Sequence, residues 1–163
     1  MPETSPFRET DDDARALARQ LIDGATYAAL AITDADEAVP SVTRIALATD
    51  PEGAPLSLIS TLSSHTAALD RDPVCALLVG EPGPTGDPLT HPRITLHARA
   101  DILARDSEDH PMLREYYLAQ RPKAKLYIDF GDFRLVRFAV TTALLNGGFG
   151  KAFKLSADDL VPR

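Results

Sequence analysis

Apolar positions along the chain change their period twice. Ala14, Leu17, Ala18 and Leu21 recur at spacings of three and four, which predicts a helix with one apolar face. Thr10 stands where a capping hydroxyl is useful, and Asp11, Asp12 and Asp13 sit at the end where the helix dipole favours anions. Gly24 supplies a stop. From there the pattern is that of strands. Residues 26–33 (TYAALAIT), 39–49 (VPSVTRIALAT, with Pro40 at its beginning) and 56–61 (LSLIST) predict an antiparallel meander, with Asp50-Pro51-Glu52-Gly53 as the strongest turn. Segments 74–79 (VCALLV), 93–103 (RITLHARADIL), 133–140 and 143–146 add further strands. Short helices are expected at 67–70, and from a Ser107 cap to about Gln120, where Pro111 falls in the first turn. Proline-rich 81–92 reads as a loop, 1–9 as a loose arm and 156–163 as a polar tail. Six or seven short strands with few helices between them do not make a βαβ pattern. They predict a mainly β, mostly antiparallel barrel with helices packed outside.

Composition narrows the setting. The 163 residues carry 17 Lys and Arg against 24 Asp and Glu, a net charge of −7. That length fits one domain over residues 1–163. Net acidity argues against sequence-independent nucleic-acid binding, which needs a basic surface to displace counterions. No apolar run approaches the roughly 20 residues of a membrane-spanning helix. The start, Met1-Pro2-Glu3-Thr4-Ser5-Pro6, has neither the positive nor the apolar region of a signal peptide. A cytoplasmic protein without membrane or nucleic-acid partners is expected. The single cysteine, Cys75, excludes an internal disulfide and any multi-cysteine metal site, and its place in an apolar strand is that of a core residue.

Several chemical motifs fail on spacing. Gly147-Gly148-Phe149-Gly150-Lys151-Ala152 lacks the glycine and the Ser/Thr of a phosphate loop, since Leu145 and Ala152 occupy those places. It reads as a glycine-rich turn or as backbone lying close to a ligand. His65, His91, His97 and His110 have no zinc-site spacing and no acidic cluster beside them, so no metal site is expected. His97 sits mid-strand between Leu96 and Ala98 and reads as a hydrogen-bonded structural histidine. No Gly-x-Ser-x-Gly elbow is present.

Residues 60–66 carry more. Ser60, Thr61, Ser63, Ser64 and Thr66 surround His65 and lead into a helix start. Hydroxyls, free backbone N–H groups and a helix dipole together suit an anion, phosphate above all. A plain capping loop would use the same residues. Arg44 lies in the interior of an apparent strand, where an arginine either reaches solvent at an edge or meets an anion. Arg93, opening the fifth strand, is a second candidate cation.

The order of these segments resembles the pyridoxamine 5′-phosphate oxidase-like FMN-binding split-barrel family. The resemblance is carried by Ser41-Val42-Thr43-Arg44-Ile45-Ala46-Leu47 and by the run from Ile59 through Ser63-Ser64-His65-Thr66 to Asp72-Pro73. The closing Gly147-Gly148-Phe149-Gly150-Lys151-Ala152 is similar to the ending of the haem-utilisation branch. The resemblance implies a six-stranded split barrel that forms a homodimer with FMN at the subunit interface. It implies that Arg44 contacts the FMN phosphate or ribityl chain, that Ser60 and Thr61 lie near the flavin, and that Arg93 reaches it. Ser63, Ser64, His65 and Thr66 would surround the phosphate. The oxidase itself carries an Arg-Lys pair where this chain has Ser64-His65, and no counterpart of the oxidase's C-terminal substrate segment is found. The expected activity is a flavin-dependent oxidoreductase working on a small-molecule substrate or electron donor. The alternatives are a haem-binding or haem-degrading protein and a flavin carrier without turnover.

Overall fold

The computed structural model describes residues 5–162. Its element order is α1 (Asp12–Gly24), β1 (Tyr27–Thr33), β2 (Pro40–Ala46), β3 (Ala48–Thr49), β4 (Pro55–Ser60), α2 (Ser64–Arg71), β5 (Val74–Val79), β6 (Arg93–Ile102), α3 (His110–Gln120), β7 (Phe133–Asn146) and β8 (Ala152–Ser156). Short 3₁₀ turns lie at Pro88–Thr90, Pro122–Leu126 and Asp158–Leu160. The strands form one antiparallel sheet in the order β2-β1-β5-β6-β7-β4-β3, with β8 also on β7. Eight strands therefore replace the expected six.

The extra strands have local causes. The segment expected as one strand over 39–49 breaks at Leu47. Its first part pairs with β1 and its last two residues pair with β4. Arg121 holds the break, donating to the carbonyls of Leu47 and Ala25 at 2.7 and 2.8 Å. The expected three-strand meander is corrected in the same way: β4 pairs with β3 and β7, not with β2. Segments 133–140 and 143–146 are one strand, because a register shift between His97 and Ala98 lets β7 carry an extra residue past β6. The N-terminal half of β7 pairs with β4 and its C-terminal half with β8, so the sheet forks there.

The ends are also better tied than expected. Arg8 donates its N–H to the Ala152 carbonyl at 2.9 Å, and Leu160 in the supposed tail is buried. Residues 1–4 and 163 of the arm and tail lie outside the described residues. Asp11, rather than Thr10, caps α1, accepting from Ala14 N at 2.8 Å. Helix α2 runs a full turn earlier than expected. Helix α3 starts at His110 with Asp109 at its cap position, so Ser107 does not cap it.

Two apolar clusters flank the sheet. Its concave side closes over Leu30, Leu77, Ile94, Leu96, Phe138 and Leu145 with α1 against them through Ala14, Ala18 and Ile22. Its convex side is covered only in part. Leu56, Leu58 and Leu135 pack under Leu113, Tyr117, Ala124 and Ile128 of α3 and the following turn. Over the rest of the convex side, across β2, β1, β5, β6, β7 and β8, no helix among the described residues packs.

One glycine is demanded by backbone. Gly80, at the end of β5, has φ +105°, and a Cβ there would lie 2.6 Å from the Pro92 carbonyl oxygen and 2.7 Å from Arg93 Cα. Gly80→Ala is expected to cost about 1–3 kcal/mol from backbone strain alone. A thermal melt would read this as a lowered midpoint, and an unchanged midpoint would show that the hairpin rearranges freely.

Candidate functional site

The Ser/Thr-rich segment divides into residues that build the loop and residues that are left to act. Ser60 Oγ donates to Asp132 Oδ2 at 2.7 Å and accepts from Leu62 N at 3.1 Å. Thr66 is buried and donates to the Ser60 carbonyl at 2.5 Å. Thr61 N–H donates to the Asp132 carbonyl at 2.7 Å. These bonds fix the turn from β4 into α2. Ser63 sits at the cap position of α2 with extended backbone, yet its hydroxyl does not cap. Among the described residues the hydroxyls of Thr61, Ser63 and Ser64 meet no partner, and neither do the first α2 amides, those of Ser64 and His65. Several donors without an acceptor thus belong to residues at or just before the positive end of a helix.

His65 is half-buried, with Nδ1 3.2 Å from Thr43 Oγ1 on β2. Burial holds its pKa below the ordinary histidine value. Thr43 and Arg44 are consecutive on an edge strand, so their side chains leave opposite faces. Thr43 joins the loop. Arg44 lies with its guanidinium 5.2 Å above the Tyr27 ring and forms no hydrogen bond or ion pair among the described residues. It lines a cleft of about 500 Å³ with Gln20, Tyr27, Leu78, Gly80 and Glu81. Burial, then the Glu81 carboxylate, raises the Tyr27 pKa.

Arg93 is placed apart. Its guanidinium donates to the carbonyls of Leu89 and His91 at 3.0 and 3.4 Å. It shares the convex face with Arg44, but three strand spacings separate them in the register, roughly 14 Å at the usual strand spacing. One phosphate does not bridge both within a single chain. The structure therefore groups Ser60, Thr61, Ser63, Ser64, His65 and Thr66, attaches the strand of Arg44 through Thr43, and leaves Arg93 on its own loop. Thr43, Asp132, Tyr27 and Glu81 were not legible as neighbours of these residues. Only long-range pairing brings Asp132 to Ser60.

The uncovered half of the convex face adjoins the site. Directly opposed residues give a row Arg44–Ala29–Leu78–Thr95–Leu144–Lys154 and a next row Val42–Ala31–Ala76–His97–Thr142–Ser156. Val42 is 67% exposed, Val74 53% and Leu78 45%. Contiguous apolar exposure of this kind marks an interaction surface.

Cys75 faces the other way. It is buried, and burial pushes its thiol up to about 11. Thiol-specific alkylation at neutral pH is expected to leave the folded protein unlabelled and to label one site after denaturation. Rapid labelling of the native chain would contradict the burial of this strand.

A forked antiparallel sheet, curled into a half-barrel with one helix inside its mouth and one under its outer face, defines the split-barrel class. The chain belongs to the pyridoxamine 5′-phosphate oxidase family, whose model matches residues 14–146. A chloroplastic haem oxygenase of Arabidopsis thaliana is 35% identical over 119 residues, covering 72% of this chain. The chain spans 35% of the length of that relative. A solved protein of unknown function from Agrobacterium tumefaciens is 30% identical with a TM-score of 0.83, covering 100% of this chain and 66% of the other. A haem-binding protein from Mycobacterium smegmatis shares the fold at 24% identity, with a TM-score of 0.82 over 93% of this chain and 61% of the other. No helix among the described residues is long and apolar enough to cross a membrane.

Proposed function

We propose that the chain binds FMN as a homodimer and serves as a flavin-dependent oxidoreductase on a small-molecule substrate or electron donor. The observation that carries this reading is the set of unclaimed donors at the start of α2, where Ser63 occupies a cap position without capping. A dianionic phosphate would take the Ser64 and His65 amides and the hydroxyls of Thr61, Ser63 and Ser64. Ser60 and Thr66 hold the loop in shape. Arg44, with its donors free, reaches the phosphate or ribityl chain, and Arg93 approaches the flavin across the dimer. The bound flavin would supply the hydride or electron transfer, and the protein supplies binding and orientation. The lone buried cysteine fits a reducing compartment such as the cytoplasm.

A second copy is the occupant that suits the bare face. Six strands wide and about 20 Å along β5, it has a flat footprint of roughly 600 Å². That approaches the ~800 Å² per partner of a standard interface, and the rims of the loop and cleft add to it. Titration with FMN, followed by flavin fluorescence, is expected to saturate at one FMN per chain. Reduction of the bound flavin by NADH or NADPH would separate an enzyme from a carrier. Absence of FMN binding would overturn the reading.

The depressed His65 pKa gives this reading a pH signature. The folded apo protein favours neutral His65, so as pH falls below about 6.5 the unfolded chain takes the proton first and folding stability decreases. A bound phosphate favours the protonated ring instead. FMN is therefore expected to bind more tightly at pH 6 than at pH 8, by up to about tenfold. His65→Gln should flatten that dependence, and an equally steep slope in the variant would remove His65 from the site.

A second reading, haem binding or degradation, is favoured by the 35% identity to a haem oxygenase. Haem added to the apo protein would then give a Soret band.

A further inference from the structure

We propose that the bare convex face is an assembly switch: two copies close firmly over it only when the phosphate of FMN supplies negative charge between them. The inference rests on the reading that FMN binds within a homodimer, and adds that the ligand drives the assembly. The observation that carries it is the sign of the charge on that face. Alternation along the strands puts Arg44 of β2, Arg93 and Arg99 of β6 and Lys154 of β8 on the convex side, because Ile45, Ile94, Ala98 and Phe153 beside them are buried in the core. None of the four cations forms an ion pair among the described residues. Asp101, the carboxylate on the same side of β6, stands directly opposite Arg137 on β7. Glu81 follows the end of β5 beside Tyr27, and Asp34, Asp36, Glu37 and Asp72 lie on turns outside the strands. The face is therefore cationic in a chain whose net charge is −7.

A two-fold axis presents the same patch from both copies, so four unpaired cations per copy become eight at one interface. Like charges set against one another oppose docking. The apolar half of the face, with Val42, Ala31, Ala76, Val74 and Leu78 on β2, β1 and β5, favours association, and the cations at its edge and far side resist it. A phosphate monoester carries nearly two negative charges at neutral pH, so two FMN molecules between the copies would offset about four of those eight. Arg44 and Arg93 already have a place beside the flavin. Arg99 and Lys154 have none, and the switch gives them one, as the charges that hold ligand-free copies apart. Binding and assembly are then reciprocal. If the dimer holds each FMN about tenfold more tightly than the single chain does, two bound FMN strengthen association about hundredfold.

Sedimentation velocity over a dilution series, with flavin-free and FMN-loaded protein, reads the dimer dissociation constant. FMN is expected to lower it about hundredfold. Riboflavin, which has the same ring system without the phosphate, should leave it nearly unchanged. Raising salt from about 50 to about 500 mM should strengthen association of the flavin-free chain by screening the repulsion. The double variant Arg99→Gln, Lys154→Gln should dimerise several-fold more tightly without flavin and narrow the gap that FMN makes. Both positions are exposed, and far-UV circular dichroism checks that the variant is folded. Salt that weakens the flavin-free dimer, a double variant that dimerises less well, or riboflavin that matches FMN would each overturn the switch, because the face would then be complementary to itself or merely filled. FMN that binds without changing the dimer constant would overturn the switch and leave the FMN reading standing. No FMN binding at all would end both.

Discussion

Arg44→Ala is expected to bind FMN roughly ten- to a hundredfold more weakly than the wild type, the loss that follows from removing a hydrogen bond to a charged group. The folded apo protein should be little changed. Arg44 makes no hydrogen bond or ion pair among the described residues, so truncation strands no partner, and its contact with Tyr27 is a single exposed cation–π pair. That separation of effects makes the variant informative: a fall in affinity with an unchanged melting temperature is the signature of a residue held in reserve for a ligand. Arg44→Lys should recover only part of the loss, because an ammonium cannot offer the two parallel donors of a guanidinium. Fluorescence titration measures all three proteins. Equal affinity in wild type and Arg44→Ala would confine the phosphate to the α2 start, with Arg44 serving the cleft of Tyr27 and Glu81 instead.

That Arg44 and the Ser/Thr loop could be singled out from the chain at all has a local cause. Five hydroxyl residues in seven positions around a helix start, and an arginine inside an apolar run, are contrasts visible within a few residues. Strands β1 and β5 were legible for the same reason, since their apolar runs are short and bounded by turns. What was illegible depends on partners far along the chain. The break at Leu47 is held by Arg121, 74 residues away, and Ser60 is fixed by Asp132, 72 residues away. Nothing near Thr43 announces that it meets His65. Strand β8 is a different case: its alternation of buried Phe153 and Leu155 with exposed Lys154 is a period-two signal, but it is only five residues long and lies between the glycine-rich turn and the tail expected over 156–163. Arg93 shows the limit of reading a charge from its strand position, since its guanidinium turns back to tie the loop it follows.

Ala31→Glu is expected to convert the proposed homodimer to a monomer and to release the proposed flavin with it. Ala31 lies between Val42 and Ala76 in the second row of the uncovered face, so in one chain a glutamate there points to solvent and the barrel folds as before. In a two-fold dimer across this face the same carboxylate is buried twice. Each uncompensated buried charge costs about 3–5 kcal/mol, so the pair would weaken association by at least about 10⁴-fold. Light scattering at micromolar concentration should give the single-chain mass for the variant and twice that for the wild type. Cofactor content links assembly to site. If the flavin sits between copies, the monomeric variant should retain little of it even though the Ser/Thr loop is intact, and circular dichroism should still report a folded sheet. A monomer that binds FMN at wild-type affinity would place the whole site within one chain. A variant that remains dimeric would move the interface to another surface and leave the bare half of the sheet for a different ligand.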